Sequence, residues 1–200
     1  MKKLKQILPI LTILLVSCSE NSLKSKIVSK DSNSHDDSLE IVNATKNVYK
    51  WHDSAQKELQ DYSVIIVDSF QTGLDFQSFE KTLKAINDSH LFSNSFINNY
   101  TEIGKLINNK LTTANPKYLN EINFPYQEAD PWTNFQDDAN HFWDSFIISD
   151  FKISSDSASF NWYIQEKYSK TDKYLVKLVK ENKKWVISYL DGFNKNLYSQ

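Results

Sequence analysis

Between Ser38 and Leu59 the positions Ile41, Thr45, Val48, His52, Ala55 and Leu59 recur at intervals of three and four residues, the spacing of one face of an α-helix. The pattern predicts a first helix that begins at Ser38. The SVIIV of residues 63–67 reads as a short strand or as a buried connection. Asp75 and Ser93 each precede a new helical period, and a short oxygen-bearing side chain in that place accepts the unpaired amides of a first turn. A second helix is therefore expected with Phe76, Phe79, Leu83 and Ile86 on one face. A third turns Phe96, Tyr100, Ile103, Ile107 and Leu111 inward and ends at Thr113 to Pro116.

After Ser145 the period falls to two. Phe146 to Ile153 reads as one strand, and Ala158, Phe160, Trp162 and Ile164 alternate with Ser159, Asn161, Tyr163 and Gln165 in a second, half-buried one. KYLVKLVKEN and KKWVISYLD supply two more, joined as a hairpin around Asn182 and Lys183. Helices first and an antiparallel meander last define an α+β chain, with N-terminal helices packed on a C-terminal sheet. No internal repeat is present.

The N-terminus follows a different logic. Lys2, Lys3 and Lys5 precede an apolar run from Ile7 to Val16, which Ser17, Cys18, Ser19 and Glu20 terminate. A membrane-spanning helix needs about 20 apolar residues, so the run reads as a cleaved secretory signal. Leu15-Val16-Ser17-Cys18 resembles the lipobox of bacterial lipoproteins, in which signal peptidase II cuts before a diacylated cysteine. That resemblance implies a mature chain beginning at a lipidated, palmitate-bearing Cys18. The other reading, an ordinary thiol beside a type I cleavage site, calls for small residues at both −1 and −3, and Leu15 and Val16 suit the lipobox better. Three acyl chains would make release from the membrane negligible, since each buried methylene contributes about 0.8 kcal/mol. Ser19, where inner-membrane lipoproteins carry Asp, favours the outer membrane, facing periplasm or surface.

Residues 19–37, rich in Ser, Lys and Asp, show no sustained apolar period and read as a flexible tether. The expected organisation is a signal over 1–17, a lipidated N-terminus and tether over 18–37, and one domain over 38–200. His35, between Ser34 and two aspartates, reads as solvated spacer. Loss of Lys2, Lys3 and Lys5 would shift the formal charge from −2 to −5. All 23 basic residues are lysine, so the bidentate guanidinium forks that read phosphate and guanine are missing, and nucleic acid is not an expected partner. Cys18 is the single cysteine, so no intrachain disulfide can brace the domain.

Tyr49-Lys50-Trp51-His52, then Asp130-Pro131-Trp132 with Gln136-Asp137, and finally the hairpin from Val179 to Ile187 form a set. In these the chain resembles small bacterial lipoproteins carrying domain of unknown function 3828, whose fold is similar to the nuclear transport factor 2-like, or cystatin-like, α+β cone. The resemblance reaches from Val48 to about Leu190. It implies a curved sheet wrapped against helices as a cone-shaped roll with a conical pocket, and no particular activity.

Three groups of residues are candidates for chemistry. His52 falls within about 40° of Ile41, Val48 and Leu59 on a helical wheel. In cone folds that face borders the pocket, so His52, flanked by Tyr49, is a candidate for ligand binding or proton transfer near neutral pH. The alternative is a core histidine satisfied by a backbone carbonyl. Asp130, Asp137, Asp138, His141 and Asp144 are of metal-ligating types. If residues 132–146 are helical, however, Trp132, Phe135, Ala139, Phe142, Trp143 and Phe146 take one arc and Asp137, His141 and Asp144 the solvated one. Trp162, Tyr163, Trp185 and Tyr189 can line a pocket that stacks on flat ligands. Trp162 and Trp185 are expected in the core and Tyr163 and Tyr189 nearer solvent. No cofactor motif, phosphate loop or nucleophile constellation is present.

These features lead to a non-enzymatic cell-envelope lipoprotein that binds a protein partner or small ligand. Two alternatives stand beside it: an enzyme of ketosteroid isomerase-like type using a pocket base such as His52, and a structural component of an envelope assembly.

Overall fold

The computed structural model describes residues 33–55, 58–120, 129–135, 141–164 and 173–199. The signal, Cys18 and most of the expected tether lie outside these residues, as do Asp137 and Asp138.

The architecture is α+β, with helices packed on a curved, open antiparallel sheet. Helix α1 (Asn33–Ala55) is followed by a two-stranded hairpin, β1 (Val64–Val67) and β2 (Phe70–Leu74). Helices α2 (Phe76–Ser89) and α3 (Asn94–Thr113) come next. Strands β3 (Ile147–Ile153), β4 (Ser157–Tyr163), β5 (Tyr174–Glu181) and β6 (Lys184–Leu190) complete the chain as a meander in the order β3-β4-β5-β6. Among the described residues no helix is long and apolar enough to cross a membrane.

Helix α1 starts five residues before the expected Ser38 and stops before Leu59. Its early start has a long-range cause. Asp37 Oδ1 accepts from Lys180 Nζ at 2.8 Å and from Trp185 Nε1 at 3.1 Å, so the first turns of α1 are held to the β5–β6 hairpin. The Lys180 bond, then that of Trp185, keeps the Asp37 carboxyl below the usual carboxylate range. Ile41, Thr45 and Val48 face the core, and Thr45 returns its hydroxyl to the Ile41 carbonyl at 3.0 Å.

Both expected caps form. Asp75 accepts from the amides of Gln77 and Ser78, and Ser93 from that of Phe96. The β5–β6 turn places Asn182 at φ 50° and Lys183 at φ 65°, the paired left-handed conformation of a two-residue hairpin loop. The sheet bends where single residues are inserted. The register shifts between Ser149 and Lys152 on β3, where Asp150 has φ 55°, and between Lys177 and Leu178 opposite an extra Ser188 on β6. Such bulges raise local twist.

The VIIV segment is a strand and not a buried connection, since Ile65, Ile66 and Val67 are about half exposed. The 132–146 helix is also replaced. Residues 131–133 form a turn, and the only helical geometry among the described residues of this stretch is a short 3-10 turn at Phe142–Asp144. Asp130 starts one turn as an N-cap would, with Oδ1 accepting the Trp132 amide at 2.9 Å, Oδ2 the Thr133 hydroxyl at 3.2 Å and its carbonyl the amides of Thr133 and Asn134; the turn goes no further because the Phe135 carbonyl folds back to accept the Asp130 amide at 2.9 Å. Positive φ at Asn134 and His141 marks further breaks.

The core is mainly aromatic. Tyr62 stacks on Tyr100 at 4.6 Å and Phe92 on Phe96 at 4.7 Å, while Trp132 meets Phe193 edge-on at 4.9 Å. Such pairs add about 0.5–1.5 kcal/mol beyond the area they bury. With no disulfide in the domain, this packing carries the fold.

Candidate functional site

His52, one turn after Tyr49 on α1, is half-buried and lies flat on Trp132, with ring centroids 4.4 Å apart and planes 25° from parallel. Burial lowers its pKa to about 4, because an imidazolium there would lose hydration without gaining a counter-charge. The ring is therefore neutral at neutral pH. Among the described residues no hydrogen bond reaches it, so the carbonyl expected for a core histidine is not its partner; the Trp132 face is.

Trp132 connects His52 to a group the sequence did not single out. Its Nε1 donates to Asp61 Oδ2 at 2.6 Å, and the Tyr100 hydroxyl donates to Asp61 Oδ1 at 2.6 Å. Burial pushes the Asp61 pKa up to about 6, while the Tyr100 and Trp132 hydrogen bonds pull it down. Asp61 follows the first helix in a polar stretch, with no motif to mark it. The residues that enclose it come from α3 and from the turn after Asp130, so only the tertiary fold discloses it.

The remaining sequence candidates do not converge on one site. Tyr49 is buried, accepts the Trp162 Nε1 proton at 2.9 Å and packs edge-on to Phe142 at 4.8 Å; burial pushes its hydroxyl pKa up. Trp162 and Trp185 are core residues. Tyr163, at the end of β4, is half-buried. Tyr189 on β6 donates to Asp191 at 3.1 Å and lies under the Lys177 ammonium at 4.8 Å; burial, with the nearby Asp191, pushes its pKa up to about 12. No described contact joins Tyr163 or Tyr189 to Tyr49 or His52. His141 packs edge-on to Trp143 at 5.1 Å and Asp144 is exposed. Among the described residues no cluster of three or more metal-ligating side chains forms; Asp137 lies outside them.

Two clefts are described, and neither is lined by His52 or Asp61. A groove of about 430 Å³ crosses β3 to β6 near Lys152, Ser157, Lys177 and Ser188. The larger, about 580 Å³, lies between α1, the α2–α3 junction and the β5–β6 turn. Helix α1 contributes Glu40, Asn43, Ala44 and Asn47, a stripe at helical spacing. The junction contributes Ser89, His90 and Leu91, and the hairpin Lys183 to Val186.

Local chemistry shapes this second cleft. His90 caps α2 in a left-handed conformation at φ 55°, which turns the chain sharply so that Leu91 meets the sheet. The Ile187 amide donates to the Leu91 carbonyl at 2.9 Å, and the Ser93 amide donates to the Ile187 carbonyl at 2.8 Å. Two residues earlier, Trp185 directs its N–H and C=O to the same outer edge, since its β5 partner Lys180 gives its own amide to Asp156 on the far side at 2.8 Å. The floor is thus Leu91, Trp185 and Val186, with an open strand edge. The exposed walls carry the carboxamides of Asn43 and Asn47, the Glu40 carboxylate and the Lys183 and Lys184 ammonium groups. Among the described residues no hydrogen bond engages these five side chains.

No protein family, no curated protein and no solved structure matches this chain.

Proposed function

We propose that the protein is a non-catalytic cell-envelope lipoprotein, akin to the carriers of domain of unknown function 3828, anchored through Cys18. Its domain binds a polar segment of a partner protein in the cleft between α1 and the β5–β6 turn. The observation that carries this reading is the cleft's lining: an apolar floor and open strand edge beneath uncommitted amide, carboxylate and ammonium side chains. Small-molecule pockets are mostly apolar and enclose their ligands, whereas an apolar centre with a polar, solvated rim is the anatomy of a protein interface. The titrating groups argue against catalysis at that place, because His52 is stacked on Trp132 and both oxygens of Asp61 are occupied.

A photo-crosslinking residue placed at Asn47, and separately at Asn43, in the full-length protein in its native envelope should each yield the same discrete adduct. The exposed Asp156 position should not. Absence of a discrete adduct from both α1 positions would overturn the assignment, and Lys183→Glu with Lys184→Glu should lower the yield several-fold if the rim contributes charge complementarity.

A further inference from the structure

The smaller groove, across β3 to β6, lies on the outer face of the sheet. Phe160, Val176 and Leu178 are fully buried on the opposite face, so alternation sends Ser159 and Lys177 outward. Ladder register then aligns one outward residue from each strand in a single row. Lys152 opposes Ser159, Ser159 opposes Lys177, and Lys177 opposes Tyr189.

Two bulges create this row. From Ser149 to Lys152 strand β3 uses three residue steps where its partner β4 uses two, from Asn161 to Ser159. Regular alternation from Ser149 would turn Lys152 to the core face; the bulge, with Asp150 at φ 55°, returns it to the outer one. On β6 the inserted Ser188 falls between Ile187, which opposes Leu178 in the core, and Tyr189. Bulges beside functional sites re-aim side chains, and here both aim at one place: Lys152, Ser159, Lys177 and Ser188 all line the groove.

The charge in the groove has one sign. Among the described residues no acidic side chain lines it. Asp150 is taken by Lys173 at 2.7 Å, Asn161 at 3.0 Å and Ser149 at 3.1 Å. Asp191 accepts the Tyr189 hydroxyl, and Asp156 in the β3–β4 turn accepts that of Ser154 at 3.4 Å. The Lys152 ammonium and the Ser159 and Ser188 hydroxyls have no hydrogen-bond partner among the described residues. The Lys177 ammonium rests on the Tyr189 ring at 4.8 Å, a contact that leaves its N–H donors available.

Two available cations, two strands or about 10 Å apart at Cα with a hydroxyl midway, match a compact dianion. We propose that this groove binds a phosphate monoester, with the phosphoryl oxygens above Ser159 between Lys152 and Lys177. A monoester carries nearly two negative charges at neutral pH, whereas a diester or a carboxylate carries one. Lysine binds phosphate as a point charge, with no need of an arginine fork, and its flexible four-carbon stem lets Lys177 swing from Tyr189 to the ligand. The accessible apolar lining is limited to Ile153 and Val179, too little surface to hold acyl chains, so the monoester belongs to a small soluble molecule.

Calorimetric titration of the full-length protein in neutral detergent tests the site. Phenyl phosphate and inorganic phosphate should each bind saturably at one site, and diphenyl phosphate and acetate roughly tenfold more weakly for want of the second charge. Lys152→Gln and Lys177→Gln should each weaken phenyl phosphate about tenfold and Ser159→Ala about threefold, as single lost hydrogen bonds to a charged group do, with unchanged circular dichroism. Lys84→Ala, on α2, should bind as the parent does. The proposal is overturned if neither monoester binds saturably, if the folded lysine variants match the parent, if the diester matches the monoester, or if Lys84→Ala loses as much as Lys152→Gln. Much tighter binding of dibutanoyl phosphatidate than of phenyl phosphate would equally overturn it, by assigning the groove to a lipid headgroup.

Discussion

Trp132 touches two groups that titrate in opposite senses. His52 has a folded pKa of about 4, below its ordinary 6.5, so its contribution to stability is present above 6.5 and lost as pH falls towards 4. Asp61 has a folded pKa of about 6, above its ordinary 3.8, so its contribution is full below 3.8 and lost as pH rises through 6. The two slopes oppose each other between about pH 4 and 6, and each is exposed by removing the other group. Asp61→Asn should make stability to urea fall on acidification from pH 6.5 to 4. His52→Gln should make it rise on acidification from pH 6 to 4. Like slopes in the two variants would contradict the assignment. At this scale the sequence disclosed His52, because helical spacing fixes which way a residue on α1 faces. It did not disclose Asp61 or the cleft residues Asn43, Asn47 and Lys184, since these acquire meaning only from chain segments distant in sequence.

Elements governed by adjacent residues were legible. Asp75 and Ser93 cap their helices, and Asn182 and Lys183 turn the last hairpin, because in each case the deciding hydrogen bonds or dihedral angles lie within a few residues. Asp75→Ala should cost about 1 kcal/mol in urea denaturation, the usual value of a lost N-cap. The 132–146 segment misled for the converse reason. Its apolar residues keep helical spacing, yet Asn134 turns left-handed at φ 60° and the Phe135 carbonyl folds back on the Asp130 amide, so the chain closes into a turn. That turn is locked to the C-terminal segment: a Cβ on Gly192 would lie 1.9 Å from the Pro131 carbonyl oxygen, and the Tyr174 hydroxyl donates to that oxygen at 2.6 Å. Gly192→Ala must displace backbone, so its cost should reach or exceed the 1–3 kcal/mol typical of overpacking. A thermal or urea midpoint matching that of the parent would refute the close approach.

For the molecule as a whole, the α+β class was legible from the change of period, whereas the boundary between tether and domain was not. Asp37 looked like part of a solvated run until Lys180 and Trp185, far along the chain, gave it partners. Cys18→Ala should yield an uncleaved precursor without acyl label, detectable by mass, while circular dichroism of the domain is unchanged, because α1 begins fifteen residues later at Asn33. Loss of the folded spectrum would contradict that independence. The clasp at Asp37 also has a mechanical consequence. Tension applied ahead of Asn33 is delivered first to the Lys180 and Trp185 bonds, and then through α1 to Ile41, Thr45 and Val48 along its buried face. The load is borne where the helix is fastened to the β5–β6 pair. The β1–β2 hairpin, held to α3 and the segment at Tyr118, stays outside the line of force.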